Sequence, residues 1–354
     1  MRRAAAVAAA LAAALALAGC QGSSARTPTA KRESAIVLRL GVVGDRTDPD
    51  GVLAASFAAD VARRSGGEIE VRTVAHAAGD EPALLADARG GGLDLAGVAT
   101  AAFDRAGLRA FQPLQAPLLI TGYPLERQVI EGPVGAAMLA QVESIGLTGL
   151  ALYERGLQRP LWTGAARLGE RGASPRVATP PSGVLAAGWR ALGARPREVA
   201  PARLAGALAS GRIDGTAASL AAIQSQRLYG GAPVVSANLV MWPSPAALVA
   251  HRPSFAALSS GQQAVLRAAA ADLPARSLAA QARPSALAAV LCQEGVRLLP
   301  APPGARARLA RRAARAADAL ARDPAARRAL ARIRALAAAT PAPAPLPPCP
   351  GPAG

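Results

Sequence analysis

The residues able to do acid–base, nucleophilic or metal chemistry are few and widely spaced. His76 and His251 are the two histidines, and neither stands at metal-ligand spacing from another His or a Cys. No G-x-S-x-G motif places a serine nucleophile, and no glycine-rich phosphate loop follows a strand. Asp87 and Asp94 fit a helix face and a strand better than an acid/base pair. The sequence therefore predicts a protein that is not an enzyme and needs no cofactor or metal.

The N-terminus carries an export signal. A basic start and an apolar run over residues 4–17 end in Leu17-Ala18-Gly19-Cys20, which resembles the lipobox of bacterial lipoproteins. This predicts a signal peptide over 1–19, lipidation of Cys20 and a tether over 20–34. A short transmembrane anchor is the alternative, but the run is shorter than the roughly 20 residues that a span needs. We expect an extracytoplasmic protein anchored by lipid to the outer leaflet of the cell membrane.

The two remaining cysteines, Cys292 and Cys349, can pair with each other in one way only. Export makes a disulfide permissible. Closing a loop of about 57 residues would stabilise the fold by about 4 kcal/mol in the chain-entropy model. The bridge would pin the Pro-rich tail, residues 340–354, to the body, and two unpaired thiols are the alternative.

The positive charge is local. The formal charge is +17, all basic residues but Lys31 are Arg, and residues 305–334 hold ten Arg against Asp318 and Asp323. An exported protein rarely meets nucleic acid, so nucleic acid is not an expected partner. We interpret the basic stretch as a solvated outer face, with docking to a membrane surface as the alternative.

The order of elements predicts an α/β fold. Residues 36–98 alternate strand, helix, strand, helix and strand, which is typical of a parallel sheet. Further helices are predicted over 275–295 and over 305–339, the latter broken near Asp323-Pro324. The 354 residues, 51% of them apolar, are enough for two lobes with cores.

Several segments together resemble the substrate-binding proteins of tripartite ATP-independent periplasmic (TRAP) transporters, the DctP-like family. They match the family in order and spacing: Ser65-Gly66-Gly67-Glu68-Ile69, Gly92-Leu93-Asp94-Leu95, Gly132-Pro133-Val134-Gly135, Gly193-Ala194-Arg195-Pro196 and Ala207-Leu208-Ala209-Ser210-Gly211-Arg212-Ile213-Asp214-Gly215. The resemblance implies a type II-like binding-protein fold over 35–339. Its two discontinuous lobes would be joined by crossing segments, the first near 153–156, and would close on a ligand.

The resemblance also implies which residues bind the ligand. Arg176 stands where the family has an Arg in a K-x-R-V strand, and a guanidinium can grip a carboxylate with two hydrogen bonds. A second family Arg follows a Gly by two positions, where this chain has Gln158, with Arg159 next to it. Trp162 would stack on the ligand or fill the core.

The chain departs from the family in the loop that follows Asp214-Gly215. The family has an Asn ligand where this chain has Ala218, which leaves Thr216 and Ser219 as the hydrogen-bonding side chains there. A pocket that has lost polar partners cannot strongly select a polar ligand. The ligand is therefore less polar than a dicarboxylate, or the site is degenerate.

The resemblance implies a function in transport. The protein would capture a small organic acid and deliver it to the membrane subunits of a TRAP permease, which couples uptake to an ion gradient. The alternative is a ligand-poor lipoprotein that acts as a sensor or scaffold at the membrane surface.

Overall fold

Two β-sheets flanked by helices are joined by segments that cross from one sheet to the other. The computed structural model describes residues 35–349 apart from 45, 47, 76–79, 165–166, 171, 282–283 and 302–303. All of the described residues belong to one compact unit. Within them, no helix is both long and apolar enough to span a membrane.

The described residues contain twelve strands in two sheets. The strands are β1 (Ile36–Val42), β2 (Ile69–Ala75), β3 (Leu95–Ala99), β4 (Leu147–Tyr153), β5 (Leu157–Trp162), β6 (Arg176–Thr179), β7 (Arg195–Glu198), β8 (Gly215–Ala218), β9 (Val234–Ser236), β10 (Trp242–Pro243), β11 (Ala246–His251) and β12 (Arg297–Leu299). The first sheet has the order β2-β1-β3-β11-β4. The second has the order β12-β9-β5-β8-β6-β7, with β10 paired to β5.

Helices pack on these sheets and build their cores. They are α1 (Pro49–Arg64), α2 (Glu81–Arg89), α3 (Tyr123–Ile130), α4 (Pro133–Ala140), α5 (Gly183–Leu192), α6 (Pro201–Ala209), α7 (Leu220–Ser225), α8 (Arg252–Ala256), α9 (Ser260–Ala271), α10 (Leu273–Ala280), α11 (Pro284–Gln293), α12 (Ala305–Leu320) and α13 (Pro324–Ala339). In α1, Leu53, Phe57 and Val61 lie four residues apart, so they share one buried face that packs against the first sheet.

The first sheet begins as the parallel unit that the sequence predicts. Strand β1 pairs in parallel with both β2 and β3, and β11 lies antiparallel between β3 and β4. Helices cover both faces, so β3 and β11 are apolar along almost their whole length. The predicted two-lobed α/β fold is confirmed.

The chain crosses between the lobes at several places in the described residues, of which three lie near the sheets. The first crossing is Glu154–Gly156, between β4 and β5. Gly156 is required there, because it has a φ of +113° and a Cβ at this position would collide with the Ser219 side chain. The second crossing runs from β9 through β10 to β11, and the third joins α10, packed on β4, to α11, packed on α7.

One predicted helix is wrong in its extent. The continuous helix expected over 275–295 is two helices, because Pro284 has no N–H to extend α10 and instead begins α11. The break near Asp323-Pro324 is confirmed. There the Asp323 side chain accepts a hydrogen bond from Ala326 N (2.8 Å) and caps α13.

The C-terminal tail is fastened to the body. Cys349 forms a disulfide with Cys292 of α11, with the two Cα atoms 5.5 Å apart. Leu346 is buried in the core of the second sheet, and its N–H donates to the Ala237 carbonyl (3.0 Å). The domain boundaries at 35 and 340 stay predictions, since residues 1–34 lie outside the described part of the chain.

The disulfide should contribute strongly to stability, because it closes a loop with a sequence separation of 57 residues. We expect the double variant Cys292→Ala/Cys349→Ala to lower the free energy of unfolding by about 4 kcal/mol. Denaturant unfolding measures the change. A reducing agent should destabilise the wild type and leave the double variant unchanged, and a loss below about 1 kcal/mol would contradict the expectation.

Candidate ligand-binding cleft

A cavity of about 110 Å³ lies between the two lobes, where strand ends of both sheets meet the crossing segments. The first lobe contributes the residues after β3 and the start of α2, and the second contributes the residues after β6 and parts of β5 and β8. Clefts at the carboxyl ends of parallel strands are common ligand sites in α/β proteins. Its polar side chains are Asp80, Glu81, Gln158, Ser182 and Ser244.

Gln158 is the one predicted ligand residue that the structure places in this cleft. It lies on β5 opposite Trp242 of β10, close to the first crossing. Its Nε2 donates to the Gly156 carbonyl at 3.3 Å, a long hydrogen bond that leaves the amide available to a ligand.

Two tryptophans form an apolar wall of the cleft. The rings of Trp189 on α5 and Trp242 on β10 pack edge to face with centroids 5.3 Å apart, and both line the cavity. Trp162 does not line the cleft, because it lies four residues beyond Gln158 on β5, where its ring packs into the core beside the other two tryptophans. In the sequence, Trp189 and Trp242 are isolated aromatic residues 53 positions apart, so their place in the cleft was not predicted.

Arg176 does not reach the cleft, which corrects the sequence prediction. It opens β6, whereas the cleft lies at the other end of that strand. Its side chain is 40% exposed and forms a two-point contact with Asp214, Nη2 to Oδ1 at 2.7 Å and Nε to Oδ2 at 3.1 Å. These hydrogen bonds lower the pKa of Asp214. The β6 residue that faces the cleft is Ala178.

Arg159 and Thr216 also lie away from the cleft. Side chains alternate along a strand, so Arg159 points to the face of β5 opposite Gln158. Thr216 is buried between β8 and β6, where its Oγ1 donates to the Ala178 carbonyl (3.2 Å). Its neighbour Ala217 lines the cleft instead.

The charges at the cleft are acidic and largely engaged. Asp80 caps α2 by accepting a hydrogen bond from Ala83 N (2.8 Å). Glu81 accepts from Ala99 N (2.8 Å) and from Arg155 Nη1 (2.6 Å). No Arg, Lys or His is present among the described residues that line the cavity. A carboxylate bound there would therefore be held by neutral hydrogen-bond donors.

Arg155 neutralises the acidic groups beneath the cleft. Its guanidinium pairs with both Asp50 of α1 and Glu81 of α2. Burial, and after it the charge of Glu81, raises the pKa of Asp50 to about 6, while Arg155 opposes the increase. This pair of contacts fixes the first crossing to the helices of the first lobe.

A hydrogen bond and an ion pair join the two lobes next in sequence to the cleft residues. Asp104, in the turn after β3, accepts a hydrogen bond from Val184 N at the start of α5 (3.1 Å). Next to it, Arg105 pairs with Glu198 at the end of β7 (2.7 Å). These contacts join the two lobes in a closed arrangement.

Two buried carboxyl groups lie at the first crossing. Glu126 of α3 and Glu154 are each 1% exposed. Burial, followed by the adjacent Glu154 carboxylate, raises the pKa of Glu126 well above its ordinary range, and burial also raises the pKa of Glu154. As pH rises, the pair in the folded state therefore keeps a proton that two exposed Glu side chains would already have released.

Other candidate groups do not form a reactive site. His251 contacts Ser254 Oγ through Nδ1 (3.1 Å), and no cluster of three or more His, Cys, Asp or Glu suited to a metal occurs in the described part of the chain. His76 and the lipidation candidate Cys20 lie outside the described residues.

Comparison with known proteins identifies one family. A family model described as "Bacterial extracellular solute-binding protein, family 7" (DctP) matches residues 40–314. An uncharacterized protein, y4mM of Sinorhizobium fredii, is 29% identical over 214 residues, covering 58% of this chain. The C4-dicarboxylate-binding periplasmic protein DctP of Rhodobacter capsulatus is 27% identical over 126 residues, covering 36% of this chain. The matches span only 38% of the length of each relative.

Solved structures share the fold over most of the chain. A TRAP periplasmic solute-binding protein from Ralstonia eutropha with bound (S)-2-acetolactate has a TM-score of 0.77 at 20% identity, covering 86% of this chain and 99% of its own. The sugar acid binding protein DctPAm from Advenella mimigardefordensis, in complex with galactonate, has a TM-score of 0.78 at 21% identity, covering 86% and 98%.

The buried Glu126–Glu154 pair predicts a pH dependence. The folded state keeps a proton that the unfolded chain releases above the ordinary Glu pKa of 4.5. The pair's stabilising contribution is therefore present below that pH and is lost as pH rises through the raised pKa. Above pH 4.5, Glu126→Gln should reduce the slope with which the unfolding free energy falls as pH rises. The reduction is at most that of one proton, about 1.4 kcal/mol per pH unit.

Denaturant unfolding at several pH values measures this slope. The exposed Glu143→Gln is the matched control and should retain the wild-type slope. The expectation fails if Glu126→Gln and Glu143→Gln have the same pH dependence.

Proposed function

Since the chain belongs to the DctP family, family 7 of the bacterial extracellular solute-binding proteins, we propose that its cleft captures a small organic acid for delivery to a membrane permease. The observation that carries the proposal is the cavity between the lobes, with Gln158 and Ser244 beside a wall of two tryptophans. The bound acids of the related structures, acetolactate and galactonate, suggest the ligand class.

The acid would bind without a guanidinium. Gln158 and Ser244 would donate hydrogen bonds to it, and the tryptophan wall would pack on its carbon skeleton. A neutral hydrogen bond contributes about 0.5–1.5 kcal/mol, compared with about 1.5–3 kcal/mol for one to a charged group. We therefore expect weak binding and a preference for acids with an apolar body.

Delivery would take place outside the cytoplasm. Proteins of this family are extracytoplasmic. In our proposal, a lipid on Cys20 tethers the chain to the membrane, and the permease subunits of a TRAP transporter couple uptake to an ion gradient. Opening the cleft for release would break the Asp104–Val184 hydrogen bond and the Arg105–Glu198 ion pair.

A sensor or scaffold is the second candidate function. The same two contacts join the lobes directly through protein groups, and the described cleft residues include no cation. A protein whose lobes are joined in this way could present a constant surface to a membrane partner.

Thermal unfolding of the full-length chain with lactate, 2-acetolactate, succinate and galactonate tests capture of an acid. A ligand at 100 times its dissociation constant adds about 2.7 kcal/mol to stability and should raise the melting temperature by several degrees. Gln158→Arg should tighten binding of the acids at least tenfold, because it supplies a guanidinium inside the cleft. It should not tighten binding of lactamide, the neutral counterpart of lactate.

Gln128→Arg is the matched control, since it makes the same change on the exposed face of α3 and should leave every affinity unchanged. If no acid raises the melting temperature of either the wild type or Gln158→Arg, the capture proposal is wrong and the scaffold function is favoured. If acids raise the melting temperature of Gln158→Arg but not that of the wild type, the cleft can bind a solute and the natural ligand is not an acid.

A further inference from the structure

A second and larger cavity lies on the other side of β5. Its volume is about 960 Å³, and it lies between α1 of the first lobe and α7 and α11 of the second, with the C-terminal tail along one wall. Leu157 and Arg159 line it, whereas Gln158 between them lines the cleft. The alternation of side chains along one strand therefore separates two cavities.

The walls of this second cavity are mostly apolar. They include Val52, Leu53, Leu220, Leu287, Val290 and Leu346. Val52 is the most exposed large apolar side chain of the described residues, at 55%. Small-molecule pockets have volumes of about 300–1,000 Å³ and bury most of the ligand surface. This cavity is therefore large enough for a molecule with an extended apolar body.

Arg159 places a positive charge at this cavity with no carboxylate partner among the described residues. The residue is 7% exposed, and Nη1 donates to the carbonyls of Ala237 (3.0 Å), Ser236 (3.4 Å) and Leu239 (3.4 Å). In the described part of the chain, Nε and Nη2 donate no hydrogen bond. Burial lowers the pKa of Arg159, yet a guanidinium remains charged at neutral pH. Burying a charge without an anion is unfavourable.

The other arginine at the cavity shows the contrast. Arg276 pairs with Asp60 (3.0 Å) and Asp272 (3.3 Å) and also donates to Ser56 Oγ (2.9 Å). Its charge is compensated within the protein. Arg159 is thus the cation at this cavity that an anionic ligand would compensate.

We infer that the second cavity binds an amphiphile with a single carboxylate head and an extended hydrocarbon body. The carboxylate accepts hydrogen bonds from Arg159 Nε and Nη2, a geometry that suits two parallel N–H···O contacts. The hydrocarbon body lies against the apolar side chains of α1, α7 and α11. This site is separate from the cleft and does not depend on the function proposed for it.

Calorimetric titration of the full-length chain with decanoate, below its micelle-forming concentration, tests the inference. Decanoate should bind at one site at least tenfold more tightly than decanol or decylammonium, because only the carboxylate compensates Arg159. A similar affinity for decanoate and decanol would overturn the inference, and so would the absence of decanoate binding.

Two variants test the location. Arg159→Gln should weaken decanoate binding at least tenfold and leave decanol binding unchanged. Because Arg159 also supports the neighbouring carbonyls, a second variant keeps it in place: Ala280→Trp fills the cavity from an exposed position and should weaken both ligands at least tenfold. Ala271→Trp, at an exposed alanine outside the cavity, is its control. Equal decanoate binding by the two Trp variants would overturn the inference.

Competition separates this inference from the proposed function. A small acid that binds in the cleft, at saturation, should change the decanoate affinity by less than twofold. Mutual exclusion would mean that there is one site and would overturn the inference of a second. If no small acid binds in the cleft, the decanoate titrations still test the inference, because they report on a different cavity.

Discussion

The half-buried charge of Arg155 is the constraint on which the rest of the cleft depends. The chain leaves the first sheet at this residue, and its guanidinium holds Asp50 of α1 and Glu81 of α2. Glu81 in turn accepts a hydrogen bond from Ala99 N at the end of β3. Removing the cation would leave two neighbouring carboxylates, one of them buried, without a counter-charge, which is unfavourable. Arg155, which pairs with the cleft residue Glu81, is thus engaged in holding the lobe together, so ligand selection in the cleft depends on neutral groups.

Repeated, local signals in the sequence predicted the α/β class, whereas the two lobes and their crossings were implied by the family resemblance. Strand β3 is a continuous apolar run, α1 has a clear four-residue period, and Gly or Pro stands at several of the element ends. These signals persist even in a chain so rich in alanine. The site depends instead on single residues. Gln158 and Arg159 were equal candidates from the sequence, and only the pleat of β5 decides that they face different cavities.

The prediction for β6 failed for a related reason. Arg176 matched a motif, but the strand reaches the cleft two residues later, at Ala178. Other features had no sequence signal at all. The sequence does not distinguish Glu126 and Glu154 from other Glu residues. They are neighbours only because the first crossing brings them together inside the protein. Trp189 and Trp242 likewise meet only because α5 and β10 pack against each other.

The C-terminal tail contacts both lobes and one of the segments that cross between them. Pro343 packs on Gly122 just before α3 in the first lobe, Leu346 bonds to Ala237 near the second crossing, and Cys349 is covalently attached to α11 in the second lobe. Any rotation that separates the lobes must also displace this segment. The tail therefore links the two lobes in addition to the crossing segments. How firmly the C-terminus is attached and how easily the lobes separate are thus coupled.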